Sequence, residues 1–399
     1  MNDFLLQRST YSASASLSGY LFQCRYALLE ALRRLKRQVD FSISVETLDD
    51  VVFETDADII EILQTKHHLG KATNLSDASP DLWKTIRIWC DFFKNSASSP
   101  ETLFYLVTTS STSENSIANY LTSGTNRDIT AAITRLNSIA ISSTNSENTL
   151  AYESYRSLSD EQKRKLFEAV VVFDSTPTLL EIDNDIKQEL YFAVEYKYLD
   201  AFMKRLEGWW FRRVIKQISS VDVEPILSVE ISEELTYIRD QFKEDNLPVD
   251  DDILLSAINS SDFYDRMFVQ QLHLINISDK RIFYAIRDYF RAFTQRSRWL
   301  RDDLLYVGEL DRYERRLLEE WEIHFEGMRE DIGDAATDEE KEKAAKALYK
   351  WVEQGNLAQI RSCITEPSIP RGSYHILADE IKLGWHIEFA ERLKVLLEV

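Results

Sequence analysis

In this 399-residue chain, alternation of apolar and polar residues with a period of two is concentrated in residues 39–68. The runs "VDFSISVETL", "DDVVFET" and "DADIIEILQTKHH" are rich in β-branched residues and are separated by acidic, turn-like breaks. That pattern predicts a three-strand meander. "ETLFYLVTTS", residues 101–110, is a near-continuous apolar run of the kind a doubly covered strand shows. Helical spacing surrounds these runs. A helix from about Ser18 puts Leu21, Ala27, Leu28, Leu32 and Leu35 on one face, and residues 80–95 open on Pro80 and repeat Leu82, Trp83, Ile86, Trp89, Cys90 and Phe93. Residues 114–141 are helical again. Helix, three strands, helix, strand, helix is an α/β order of events.

From residue 150 onward strand signals nearly vanish. "LSDEQKRKLFEAVVVFD" reads as a capped helix with one short strand, and 184–219 is an amphipathic stretch ending in "RLEGWWFRRVIKQI". Beyond Pro225 and Pro248 the pattern predicts helices over 228–244, 250–258, 264–275, 280–328, 336–354 and 378–397, with Thr337 as a cap. No internal repeat is present. The length makes two domains the starting expectation, an α/β domain over 1–222 and a helical one over 223–399.

Composition excludes several classes. With 44% apolar and 29% charged residues the chain is globular rather than disordered. Cys24, Cys90 and Cys363 stand far apart with no CxxC pair, which excludes a disulfide framework and a zinc cage. The first residues lack a basic segment followed by an apolar one, and no run approaches the roughly 18 apolar residues of a membrane helix. The expectation is a cytoplasmic protein without a membrane partner. Lys+Arg 47 against Asp+Glu 67 gives a net charge of −20, which argues against a surface that coats nucleic acid all round. Arg25, Arg33, Arg34, Lys36 and Arg37 are opposed only by Glu30 in the first helix, so a polyanion contact is expected in the N-terminal half and a protein contact on the acidic 302–345. There are 10 glycines and no Gly-rich phosphate loop, so an ATP-using step belongs to another chain.

The polar ending of the third strand is the chemical signal. Residues two apart on a strand share a face, so Gln64 and Lys66 project together. In an antiparallel meander Asp50, at the start of one strand, lies beside the end of the strand that carries them, and Glu46 ends the strand before. Carboxylate, amide and ammonium at one rim suit phosphodiester hydrolysis. Asp50, the side-chain oxygen of Gln64 and the carbonyl of Thr65 are hard ligands for Mg²⁺, with Mn²⁺ as a substitute, and Glu46 supports a second ion or its waters. Lys66 orients the attacking water and stabilises charge on the phosphorus centre. Gln23 is within reach from the first helix. Asp49 shares the candidacy of Asp50, since pattern alone does not place a strand end to one residue.

These residues resemble a family. Asp50 followed by Gln64-x-Lys66 looks like the PD-(D/E)xK nuclease motif in its D…QxK form. "SGYLFQCRYALLEAL", "VETLDDVVFE", "ILQTKHH" and "FYLVTTS" resemble the double-stranded DNA endonuclease domain of CBASS effectors. "RLEGWWFRRVI", "FYAIRDYFRAFTQRSRWLRDDLL", "GELDRYERRLLEEW" and "RGSYHILADEIKLGWHIEF" resemble the LmuA-like nuclease subunits of Lamassu, an ABC-three-component defence system. The resemblance implies a restriction-endonuclease-like domain and a helical C-terminal domain that docks on partners. It also implies an Mg²⁺-dependent double-stranded DNA endonuclease held beside an SMC-like ATPase and a third small subunit, activated by invading DNA with self-association. Asp50, Gln64 and Lys66 match the motif, and Glu46 and Gln23 match auxiliary positions. The competing reading is an inactive nuclease fold serving as a DNA-binding or scaffolding adaptor, because Gln64 removes a metal-binding charge.

Other features have plainer readings. His67 and His68, without a metal-ligand partner motif, read as a basic strand end that faces phosphate. The tryptophans of "GWWF", and His375 and His386, read as core or interface. Arg291, Arg296, Arg298 and Arg301 with Asp288, Asp302 and Asp303 read as an ion-pair network.

Overall fold

A computed structural model describes residues 14–37, 40–47, 50–55, 60–66, 74–95, 102–220, 224–333 and 335–397, without the side chains of 14–16, 46–47, 50, 74 and 395–397. Internal contacts divide the chain into two compact units, Met1–Thr236 and Tyr237–Val399.

The first unit is built on a mixed sheet of β1 (Phe41–Thr47), β2 (Asp50–Thr55), β3 (Ile60–Lys66), β5 (Thr102–Thr108), β7 (Val170–Phe173) and β8 (Ile226–Leu227). A two-stranded pair, β4 (Asn74–Leu75) and β6 (Ser111–Thr112), lies apart from it. The large sheet runs β7-β5-β3-β2-β1-β8, so the expected meander β1-β2-β3 is present and antiparallel. The apolar β5 is inserted parallel between β3 and β7, which is why its sequence reads apolar on both faces. The helices are α1 (Ser14–Leu35), α2 (Pro80–Asn95), α3 (Ile117–Tyr120), α4 (Ile129–Ser142), α5 (Thr149–Arg156), α6 (Asp160–Glu168), α7 (Ile182–Leu190) and α8 (Leu199–Ser219), and α9 (Ser228–Asp240) contains the division between the units.

Each face of the sheet has its own cover. Val52, Ile62, Phe104, Leu106, Val170 and Val172 form one core with Trp83, Ile86 and Trp89 of α2 and Tyr155 of α5. On the alternate residues sits α1, whose Arg34 guanidinium lies 4.0 Å over the Phe53 ring and bonds Glu61. The inner edge of β1 is closed by a buried glutamine of α8: Gln217 accepts from Val45 N at 3.0 Å and donates to Ile43 O at 3.0 Å. It satisfies strand groups that a neighbouring chain would otherwise pair. Trp210 of "GWWF" is fully buried and donates to Cys24 O at 2.8 Å, a core role.

The second unit is helical: α10 (Asp251–Leu254), α11 (Met267–Leu274), α12 (Asp279–Arg301), α13 (Glu309–Ile332), α14 (Asp338–Gln354), α15 (Ser368–Asp379) and α16 (Phe389–Leu397). The expected single helix over 280–328 is two. Asp303 (φ 54) and Gly308 (φ 69) take left-handed backbone between α12 and α13, and the buried Arg361 holds the turn through Leu304 O at 3.0 Å and the Glu309 carboxylate at 2.8 Å. The expected helix over 378–397 is likewise replaced by α15 and α16. Pro370 disguises α15 in the sequence, yet it falls in the first turn, where the missing N–H has no helical partner to lose.

The close approach of α15 to α12 depends on one glycine. A Cβ at Gly372 of α15 would lie 2.0 Å from Asp288 O and 2.5 Å from Ala292 Cβ of α12. At this crossing the buried Asp288 accepts from Arg371 at 2.6 Å. His375 is buried beside Phe268 (5.4 Å between ring centres) and Trp385 (6.2 Å), and burial, with Arg371 nearby, pushes its pKa down to about 3. Among the described residues no helix is long and apolar enough to cross a membrane.

Candidate functional site

The site is set by three strands that end together. In the β2–β3 ladder Val51 pairs with Leu63 and Val52 with Ile62, so one further step puts the Asp50 backbone across from Gln64. Across β1–β2 the register shifts between Val45 and Thr47, leaving Glu46 as the extra residue of a bulge and Thr47 opposite Asp50. Bulges re-aim side chains and recur beside active sites. On the other side β3 runs parallel to β5, with Gln64 beside Leu106, Thr65 beside Val107 and Lys66 beside Thr108.

Gln64 is 2% exposed, a buried amide that follows the buried Ile62 and Leu63, while Thr65 and Lys66 are half-buried. The end of the strand is pinned. Thr109 N donates to Lys66 O at 3.2 Å, Ser110 N to the Thr108 hydroxyl at 3.1 Å, and Thr176 N to Thr108 O at 3.1 Å. Thr108 and Ser110 are both buried, so two hydroxyl side chains are packed inside the fold at the strand end that carries Lys66. Sequence reasoning did not single these two out. The signal was the hydroxyl run that follows the apolar "FYLV".

Gln23 is buried on α1, whose Arg34 meets the face of Phe53 and Glu61, the alternate residues to Ile62 and Gln64. The short connection makes α1 run against β1, and β3 is parallel to β1. Gln23, about three turns before Arg34, therefore lies toward the Lys66 end of the sheet, on the opposite side from the Gln64 face. Asp49, His67 and His68 fall outside the described residues, as do the side chains of Glu46 and Asp50. Among the described residues no three of His, Cys, Asp or Glu come together as a metal site.

The basic first helix is not the open polyanion surface that its sequence suggests. Arg25 bonds Asp183, Glu207 (2.7 Å) and Leu179 O (2.9 Å), Arg33 reaches Glu30, Asp185 and Glu189, Arg34 is held by Glu30 and Glu61, and Lys36 lies 2.6 Å from Glu189. Acids of α7 and α8, far along the chain, neutralise the row. Cys90 is no nucleophile: burial pushes its thiol up to about 12.

Residues 268–393 match the family of C-terminal domain 7 of the ABC-three component (ABC-3C) systems. The match lies inside the helical unit and covers under half of the chain. No curated protein matches the chain. Among solved structures it is similar to the Cap4 SAVED/CARF-domain containing receptor of Acinetobacter baumannii with the cyclic trinucleotide 2'3'3'-cAAA, at 13% identity over 70% of this chain and 66% of that one, TM-score 0.34. It is also similar to the Cap4 receptor of Moraxella osloensis, at 13% identity over 70% of this chain and 68% of that one, TM-score 0.34. The chain thus spans just under two thirds of the length of the first of these. Likenesses this loose fix neither fold nor activity.

Proposed function

We propose that the chain is a metal-dependent double-stranded DNA endonuclease subunit of an ABC-three-component defence complex of the Lamassu kind. It would work beside an SMC-like ATPase and a third small subunit and self-associate on activation. The observation that carries the reading is the β2–β3 register: Asp50 stands across from Gln64 at the strand end that Lys66 completes.

The donor set fits Mg²⁺. A magnesium site needs hard oxygens and only one or two carboxylates, the rest being water and substrate phosphate. Asp50, the Gln64 side-chain oxygen, the Thr65 carbonyl and Glu46 offer that chemistry, and Mn²⁺ accepts the same donors. When bound, the ion supplies Lewis-acid polarisation of water and phosphate. The protein's own groups do the rest. Buried Gln64 anchors one side of the site, Lys66 donates to a non-bridging phosphate oxygen and holds the incoming water in line, and the buried Thr108 and Ser110 fix the strand end that carries Lys66. Asp49 and His67 remain auxiliary candidates by sequence, whereas Gln23, on the other side of the sheet, is not carried forward.

Lys66→Ala tests the assignment. Purified with its partners and supplied with Mg²⁺ and plasmid, the variant should assemble and keep its fold by circular dichroism while losing cleavage. Retained cutting would sink it. The buried neutral amide at Gln64 favours one alternative, a nuclease fold kept as a DNA-binding adaptor. No cleavage by the wild-type complex across a titration of Mg²⁺ and Mn²⁺ would decide for that reading.

A further inference from the structure

The first two turns of α13 carry Arg312, Arg315 and Arg316, which with Glu309 and Ile360 line a surface depression of about 460 Å³. All three arginines are exposed. Arg312 donates to Val307 O at 3.0 Å, and Arg316 to Gln359 O and Ile360 O at 3.3 Å. Among the described residues none of the three has a carboxylate within 4.0 Å, although Asp311 and Glu319 lie a turn away on the same helix. Glu309 is spoken for: Arg361 grips both of its oxygens, at 2.8 and 2.9 Å, so the pair is close to neutral.

This arrangement works against the helix that bears it. Like charges three and four residues apart repel, and cations near a helix N-terminus oppose the macrodipole. It also occurs in a chain whose net charge is −20, where acids are abundant enough to cover such a row. Asp311 and Glu319, each four residues from Arg315, offset this only in part, and a row with no carboxylate in direct contact leaves an anionic ligand to supply the rest. The ligand must be an anion. Guanidinium forks at this spacing, with the positive end of the helix behind them, match the oxygens of phosphate groups.

We propose that Arg312, Arg315 and Arg316 form a phosphate-binding site in the helical unit, for phosphate carried on a nucleic-acid backbone or on a free nucleotide. The site lies outside the β2–β3 rim and does not rest on the nuclease reading.

The test uses the full chain in EDTA, so that binding is read without cleavage. Fluorescence anisotropy follows a short labelled DNA duplex, with pyrophosphate, ATP and poly-glutamate as competitors. The triple variant Arg312→Ala/Arg315→Ala/Arg316→Ala should bind the duplex on the order of tenfold to a hundredfold more weakly, and the slope of log affinity against log salt should fall by about 3, since each neutralised phosphate contributes about 0.9. Displacement by pyrophosphate or ATP would identify the free-nucleotide source, and binding of duplex alone the backbone source. The triple Arg→Lys variant keeps the charge and loses the forks, so it should fall between the two. Equal binding of every phosphate probe by wild type and a folded Ala variant overturns the proposal, as does absence of binding. Tighter binding of poly-glutamate than of any phosphate probe, lost in the Ala variant, overturns it in favour of an acidic protein segment.

Discussion

Two helices carry the same kind of charged row with opposite fates. On α1, Arg25, Arg33 and Arg34 are met by Asp183, Glu207, Asp185, Glu189, Glu30 and Glu61. On α13, Arg312 and Arg316 hydrogen-bond backbone carbonyls, Arg316 also lies 5.7 Å from the Tyr313 ring centre, and among the described residues neither has a carboxylate within ion-pair distance. In sequence the rows look alike, and on composition the first looked like the polyanion contact. The difference is where the acids of other elements fall once the chain has folded. A cation with its carboxylate in place holds the fold, and one without it is available to a ligand.

The comparison can be broken at several points. The largest effect is expected at Lys66: replacement by alanine should cut DNA cleavage on the order of a thousandfold, with little movement of the thermal melt. A comparable loss of stability would instead place Lys66 with the structural cations of α1. Next comes Arg25, whose guanidinium is 13% exposed and serves two carboxylates. Arg25→Ala should cost about 2 kcal/mol in chemical denaturation, below the 3–5 kcal/mol of a fully buried pair because Asp183 is open to solvent. No measurable loss would show that the row on α1 is no more structural than the row on α13.

His375 supplies a neutral control, a buried group with no charge to neutralise. Its pKa is depressed to about 3 in the fold, against an ordinary value of 6.5. The unfolded chain therefore takes up a proton that the folded chain refuses as pH falls below about 6.5, and stability drops by about 1.4 kcal/mol per pH unit from this one site. The contribution is complete above pH 6.5. Denaturation followed between pH 7 and 5 should show that slope, and His375→Phe should flatten it. The smallest effect is predicted for Arg315→Ala, within about 0.5 kcal/mol of wild type in stability. A larger loss would mean that α13 uses the residue for folding.

Much of the candidate site was legible because it is local. Gln64 and Lys66 share a face by strand period alone, and short links between β1, β2 and β3 leave little freedom in how Asp50 meets Gln64. The bulge at Glu46 was not legible, since an extra residue changes the pairing without changing the apolar alternation. Thr108 and Ser110 were missed because their place beside Lys66 depends on a parallel pairing across more than 40 residues of chain. The break between α12 and α13 was hidden for a related reason: its left-handed turn is held by Arg361, 52 residues beyond Glu309.

By itself, then, the sequence determined the strands β1, β2, β3 and β5 and the helical character of the second half, together with the residues that share the end of β3, since these follow from periodicities of two and 3.6 residues within one element. Tertiary structure alone decided which charges are compensated, where Gly372 lets α15 close on α12, and which residues of β5 stand beside Lys66. Those outcomes depend on partners far apart in the chain, 158 residues for Arg25 and Asp183, and charge neutralisation and close packing act on distance in space.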